Sequence, residues 1–248
     1  LKYVIQQFKT EGITDLILDL RFNNGGSVEL ARYLAASIAG TSHRSDVFMR
    51  MQRNSGADEY IRFGDGDDLN LKSVRIICSE ETASASELII SGLRGIDFPV
   101  KLFGSRTEGK NVGMEVQEYK YGNKYYEFAP ITFRSFNAKD WGDYADGIDP
   151  DVMLNNQNSS YEDDIDNVFP YAFGDWDNFD FNYPLYWALC DVQGVDPTTG
   201  EPVKRSGRAG LTRSSKDEII RVPSVPLKRP AETFGSLIYN KPEVENLY

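Results

Sequence analysis

Hydrophobic and polar positions follow two rhythms along the chain, and the change of rhythm divides it. Up to Phe103, short, mostly apolar runs alternate with stretches of helical period. Leu1 to Lys9 reads as an amphipathic helix, Leu16-Ile17-Leu18-Asp19-Leu20 as an apolar strand and Asn23-Asn24-Gly25-Gly26 as a turn. Ser27 is placed to cap a helix running to about Ala39, on which Val28, Ala31, Leu34, Ala35 and Ile38 share one face. Thr41 to Asn70 is polar, with a short strand around Val47 to Met51. Val74 to Cys78 is a second apolar strand, about Ala85 to Leu93 a helix, and Val100 to Phe103 a third strand. From Met114 the period becomes two: Glu115 to Tyr121 and Lys124 to Phe136 flank Gly122-Asn123, a hairpin signal. From about Asn155 the chain is rich in Asp, Asn, Pro and aromatics, with one helix over Pro184 to Val192 and a surface tail beyond Pro197. Strand–helix alternation followed by a hairpin predicts an α/β fold with helices packed on a sheet.

Composition narrows the partners. The chain has 248 residues, enough for one large domain and a tail. No stretch approaches the roughly 18 uncharged apolar residues of a membrane span. With 27 Lys plus Arg against 38 Asp plus Glu the net charge is −11, and no basic stripe breaks it. That balance argues against nucleic acid or an anionic lipid surface as the main partner. Cys78 and Cys190 lie in apolar runs without zinc spacing and read as buried thiols. Asp65-Gly66-Asp67-Asp68 fails the calcium-loop pattern at Leu69, and Gly104 to Lys110 lacks the Ser or Thr that follows a phosphate-loop lysine. Glu162 to Asp166 and Asp175 to Asp177 read as solvated acidic loops. Phe169, Tyr171, Phe173, Trp176, Phe179, Phe181, Tyr183 and Trp187 read as aromatics packing the tail on the core.

Two segments carry candidate chemistry. In Cys78-Ser79-Glu80-Glu81-Thr82-Ala83-Ser84-Ala85-Ser86-Glu87 a strand ends, the chain turns and a helix begins with serine at its mouth. A hydroxyl there lies beside free backbone N–H groups able to hold an oxyanion. The same pattern also describes an ordinary helix cap, Ser84 or Ser86, completed by Glu87. Thr107 to Gly113 is a glycine-bracketed loop bearing Lys110. A serine nucleophile needs a base. The single histidine, His43, sits in a polar loop. A lysine serves instead once its amine is neutral, which requires a pKa lowered by about 3 units, or about 4 kcal/mol of differential solvation.

Four segments, in order, resemble a known family. Leu16 to Gly26 looks like its LDLR-x-N-x-GG motif, Thr82 to Glu87 its SASASE motif, Gly104 to Lys110 its G-x-x-T-x-GK motif and Gly147-Ile148-Asp149-Pro150-Asp151 its GI-x-PD segment. The chain is thereby identified as a member of the C-terminal processing, or tail-specific, serine proteases, firmly over Leu1 to Asp151. The resemblance implies a ClpP/crotonase-like mixed sheet with packed helices, carrying the hairpin and a long C-terminal tail. It implies a catalytic domain over residues 1–194, with a tail over 195–248, and places the domain's first strands and a PDZ-like peptide-binding module before Leu1. It makes Ser84 the nucleophile and Lys110, about two dozen residues on, its base. The backbone N–H of Ala85, with that of Gly26 or Gly25, would hold the oxyanion. Asp19 and Arg21 brace that loop, and Ser86 is a cap or support. Many members orient the lysine with Gln or Glu four residues after it. Here that position is Met114, which leaves Glu115 and Gln117 as candidates. The expected activity is serine endopeptidase action on a protein or peptide, without cofactor or metal, in a bacterial cell envelope (periplasmic or lipid-anchored). The alternatives are a catalytically inactive peptide-binding relative and, by fold analogy alone, an acyl-CoA enzyme, for which no basic patch is seen.

Overall fold

The segment Val74–Cys78, apolar but for Arg75, becomes the second strand of a parallel sheet, buried along its whole length, and the other elements are arranged around it. The computed structural model describes residues 1–154, 183–203 and 220–221. In chain order these form α1 (Lys2–Glu11), β1 (Leu16–Asp19), α2 (Val28–Ala39), a 3-10 turn (Thr41–His43), β2 (Val47–Arg53), β3 (Glu59–Arg62), β4 (Val74–Cys78), α3 (Ala85–Gly95) and β5 (Val100–Gly104). There follow β6 (Val112–Met114), β7 (Gln117–Tyr121), β8 (Lys124–Phe128), β9 (Ile131–Phe136), β10 (Val152–Met153), α4 (Tyr183–Gln193) and β11 (Ile220–Arg221). One sheet has the order β1-β4-β5-β10-β11 and a second β3-β2-β9-β6, while β7 and β8 form a two-stranded sheet. Every pairing in the first sheet is parallel, with Ile76 opposite both Leu18 and Leu102. The second sheet is antiparallel throughout.

Parallel strands read as continuous apolar runs because both faces are covered. Here Val74, Ile76 and Cys78 join Leu34, Ile38, Ile90 and Leu93 of α2 and α3 in the main core. Phe103 and Ile17 face the other way, against Tyr186, Trp187, Ala188 and Cys190 of α4. The second sheet approaches α3 closely at Gly92, where a Cβ would fall 2.6 Å from the Phe48 ring. On the opposite face α4 is fastened by charge: Asp191 accepts from Arg75 Nε at 2.9 Å and from Lys101 Nζ, and Arg75 also reaches Asp15 at 2.9 Å.

The α/β expectation holds, and so do the four strands expected before Met114 (β1, β2, β4 and β5) and the four helices. The structure adds β3, β6 and β10, and within the expected surface tail β11, which joins the edge of the parallel sheet beside β10. It also divides the expected strand Lys124 to Phe136 into β8 and β9 around Pro130, which can donate no ladder hydrogen bond. Glu162 to Asp166, Asp175 to Asp177, most of the aromatic cluster and most of the tail lie outside the described residues. Within the described part, Trp187 packs on the sheet as expected.

Candidate active site

After Cys78 the chain turns sharply and the turn is pinned from β1. Thr82 Oγ1 accepts the Ser79 N–H at 2.9 Å and donates to the Leu20 carbonyl at 2.8 Å. The Ala83 N–H reaches the Asn23 carbonyl at 3.2 Å. Ser84 follows as the residue before α3, with φ 56° and ψ −117°. The backbone of a residue with a Cβ rarely adopts that conformation; holding it costs about 1–3 kcal/mol, and such residues concentrate at functional sites. It is held by both of its backbone groups: its N–H donates to Glu87 Oε2 at 2.8 Å and its carbonyl accepts from Leu88 at 2.9 Å. Ser84 is thus a helix cap, as one reading of the sequence had it, in a geometry more strained than a cap requires.

Glu87 is the hub of the site. It is fully buried. Oε1 accepts the Thr107 hydroxyl at 2.5 Å and the Gly109 N–H at 2.8 Å, and Oε2 accepts the N–H groups of Ser84 at 2.8 Å and Lys110 at 2.9 Å. Burial pushes its carboxyl above the ordinary value, against the pull of these four donors. One carboxylate oxygen therefore joins the backbones of Ser84 and Lys110, keeping their nitrogens within two hydrogen-bond lengths. The lysine loop is fixed on its other side as well. A Cβ on Gly109 would fall 2.4 Å from the Ala145 carbonyl oxygen. Asn111 donates to the Gly142 carbonyl at 2.7 Å and accepts from the Ser135 N–H at 2.9 Å. Ser135 in turn pairs with the Tyr144 hydroxyl at 2.9 Å, whose pKa burial pushes up to about 12. Lys110 itself is half-buried.

The first motif lies against the serine. A Cβ built on Gly25 would fall 2.8 Å from Ser84 Cβ, the Ala83 carbonyl oxygen and the Ala85 nitrogen alike, so only glycine permits this approach. The Gly25 N–H donates to Asn23 Oδ1 at 3.1 Å. Among the described residues no hydrogen bond engages the N–H of Gly26 or of Ala85. Arg21 and Asp19 form a two-toothed pair, closest at 2.6 Å, at the base of the loop.

Other sequence candidates fall elsewhere. His43 pairs with Asp46 at 2.8 Å beyond the far end of α2, whose 12 residues span about 18 Å from the glycine loop. Glu115 receives the Arg53 guanidinium at 2.9 Å, Gln117 opens the exposed strand β7, and Met114 is exposed. Both cysteines are buried and free, and burial pushes their thiols up to about 12 for Cys78 and about 11 for Cys190. Sequence reasoning saw Glu87 only as a capping partner. Its bonds to Thr107, Gly109 and Lys110 join segments about twenty residues apart, and the only sequence signal for them was that both motifs occur together.

Fold and site define an α/β chain presenting a serine at a strand–helix junction, beside a glycine loop and a lysine loop. The model of peptidase family S41 matches residues 1–154, and the chain belongs to that family. It is 26% identical over 157 residues to a "Probable CtpA-like serine protease" of Staphylococcus haemolyticus (strain JCSC1435), covering 62% of this chain and 30% of that protein. It is likewise 26% identical over 180 residues to one of Staphylococcus aureus (strain COL), covering 71% and 34%. The chain thus spans about a third of the length of the curated relatives it matches. A crystal structure described as a "Putative S41 protease" from Bacteroides fragilis NCTC 9343 shares the fold, with TM-score 0.64 and 24% identity over 78% of this chain and 48% of that one.

Proposed function

We propose that the protein is a serine endopeptidase working through Ser84 and Lys110. The observation that carries the reading is the buried Glu87 carboxylate, one oxygen of which binds the backbone N–H of both residues. Unprotonated Lys110 takes the proton of Ser84 Oγ as that oxygen attacks a peptide carbonyl. The N–H groups of Ala85 and Gly26 hold the resulting oxyanion, an assignment supported by the engagement of the Gly25 N–H with Asn23. Lys110 then protonates the departing amine, leaving an acyl group on Ser84. A water molecule deprotonated by the same lysine releases it. The substrate is a protein or peptide chain. A bacterial envelope location rests on the family resemblance. Among the described residues no helix is long and apolar enough to cross a membrane.

Ser84→Ala and Lys110→Ala are each expected to lower peptide cleavage by at least about 1,000-fold with an unchanged circular dichroism spectrum. Wild-type turnover in either removes the mechanism. The second reading, a peptide-binding relative without activity, is favoured by Met114 at the lysine-orienting position and by the pairing of Glu115 with Arg53. A serine-reactive peptidyl phosphonate separates the two. Mass spectrometry finds it on Ser84 of a peptidase and nowhere on a binder.

A further inference from the structure

We infer that Ser86 and Asn23 form a positioning pair that sets the spacing between the two halves of the oxyanion hole. This rests on the peptidase reading and goes beyond it, since neither side chain is placed to react. Ser86 lies in the first turn of α3, one residue after Ala85, and is buried. Its hydroxyl donates to Asn23 Oδ1 at 2.9 Å. The same oxygen accepts the Gly25 N–H at 3.1 Å, and the Asn23 carbonyl accepts the Ala83 N–H at 3.2 Å. One asparagine thus ties the glycine loop to both sides of Ser84, through a hydroxyl that the helix does not use as its cap. The Gly25 N–H only donates, which fixes the amide oxygen, and not its nitrogen, between Gly25 and Ser86.

Two consequences follow from the chemistry. With the Gly25 N–H engaged, the loop offers the next one, that of Gly26, and Ser86 holds this loop at a fixed distance from Ala85 on the helix. Donors aimed at an oxyanion act only within a few tenths of an ångström of hydrogen-bond length, so the strut matters in the transition state far more than in substrate binding. The acceptor must also be neutral. Aspartate would satisfy both donors equally well but would put a negative charge beside the one that develops during attack.

The test uses the full chain with a quenched fluorescent peptide that the wild type cleaves. Ser86→Ala and Asn23→Ala are expected to lower kcat by about 10- to 100-fold with KM nearly unchanged. A peptidyl boronate, which forms a tetrahedral adduct, should weaken in parallel, while the product peptide binds as before. Ser86→Thr, which keeps the hydroxyl, should restore most of the rate. Asn23→Asp keeps every acceptor at an exposed position, so it should fold with the wild-type melting temperature and still lose kcat through charge. Wild-type kcat in Asn23→Asp or in both alanine variants overturns the inference. So does a rise in KM at constant kcat, or equal weakening of boronate and product. Ser84→Ala separates the two levels. If it is inactive while the Ser86 and Asn23 variants are fully active, only the positioning role falls; if it also cleaves normally, the peptidase reading falls with it.

Discussion

Gly25 and Glu87 hold the site in different ways, and substitutions at the two should fail for different reasons. A methyl group at Gly25 has no room against Ser84 Cβ or the Ala85 nitrogen. Gly25→Ala must therefore push the glycine loop away from the serine, and a displacement of about 1 Å in such a site costs on the order of 100-fold in rate. Gly25 also sits at φ 102°, where a Cβ is strained, so cleavage should fall by about that factor and the melting temperature should fall with it. Glu87 is buried, and each of its four hydrogen bonds among the described residues comes from a donor. Glu87→Gln keeps the shape but turns an NH2 group toward two of those donors: the Thr107 hydroxyl and Gly109 N–H, or the Ser84 and Lys110 N–H groups. Leaving buried donors facing each other costs about 2–3 kcal/mol, so this variant should lose both stability and activity. A thermal melt run beside the cleavage assay, with cleavage read well below either midpoint, shows how much of each loss in rate is separate from the loss in stability. A Glu87→Gln protein as stable as the wild type would remove the carboxylate from its place as hub.

Among the elements, α4 makes the clearest prediction, because it is held to the sheet by an ion pair as well as by apolar contact. Desolvation raises the Asp191 carboxyl, but Lys101 and Arg75 outweigh it and hold the group below its ordinary value. A carboxylate depressed on folding adds stability above its unfolded pKa of about 3.9 and loses it as pH falls through the folded value. Asp191→Asn should therefore be less stable than wild type by about 2 kcal/mol at pH 7, and the two melting curves should converge below pH 4. A constant gap from pH 7 to pH 3 would mean that the pair contributes nothing. The same elements show what the sequence made legible. Val74–Cys78, α2 with its Ser27 cap and α3 behind Ser84 were readable because local period and capping specify them. Strands β3, β6 and β10 have only four, three and two residues. They exist because a partner strand supplies the ladder, a fact no window of sequence holds. The site divides in the same way. Ser84, Lys110 and the glycine pair were visible as motifs. The Glu87 hub and the Asn23–Ser86 bond were not, since each joins distant segments through side chains whose local reading was that of a cap or a turn.

For the whole molecule, the parallel sheet separates two cores, of unequal size among the described residues, and each contains one cysteine. Cys78 lies in the main core between the sheet, α2 and α3, and Cys190 in the smaller cluster under α4. Burial keeps both thiols protonated at neutral pH, with pKa values pushed up to about 12 and about 11, so neither should react while its core is closed. Local opening is governed by how much apolar contact a unit must give up. Among the described residues the α4 cluster has the fewer buried side chains, whereas the main core draws on α1 to α3 and on Phe133, Tyr144 and Ile148 as well. Cys190 should therefore become reactive before Cys78 as denaturant is raised. Pulsed labelling with iodoacetamide across a urea titration, read by peptide mass spectrometry, should give two midpoints, that of Cys190 at the lower urea concentration. Asp191→Asn, by loosening α4, should lower the Cys190 midpoint and leave that of Cys78 in place. Coincident midpoints in the wild type, unmoved relative to each other by the substitution, would mean that the helix and the main core unfold as one cooperative unit.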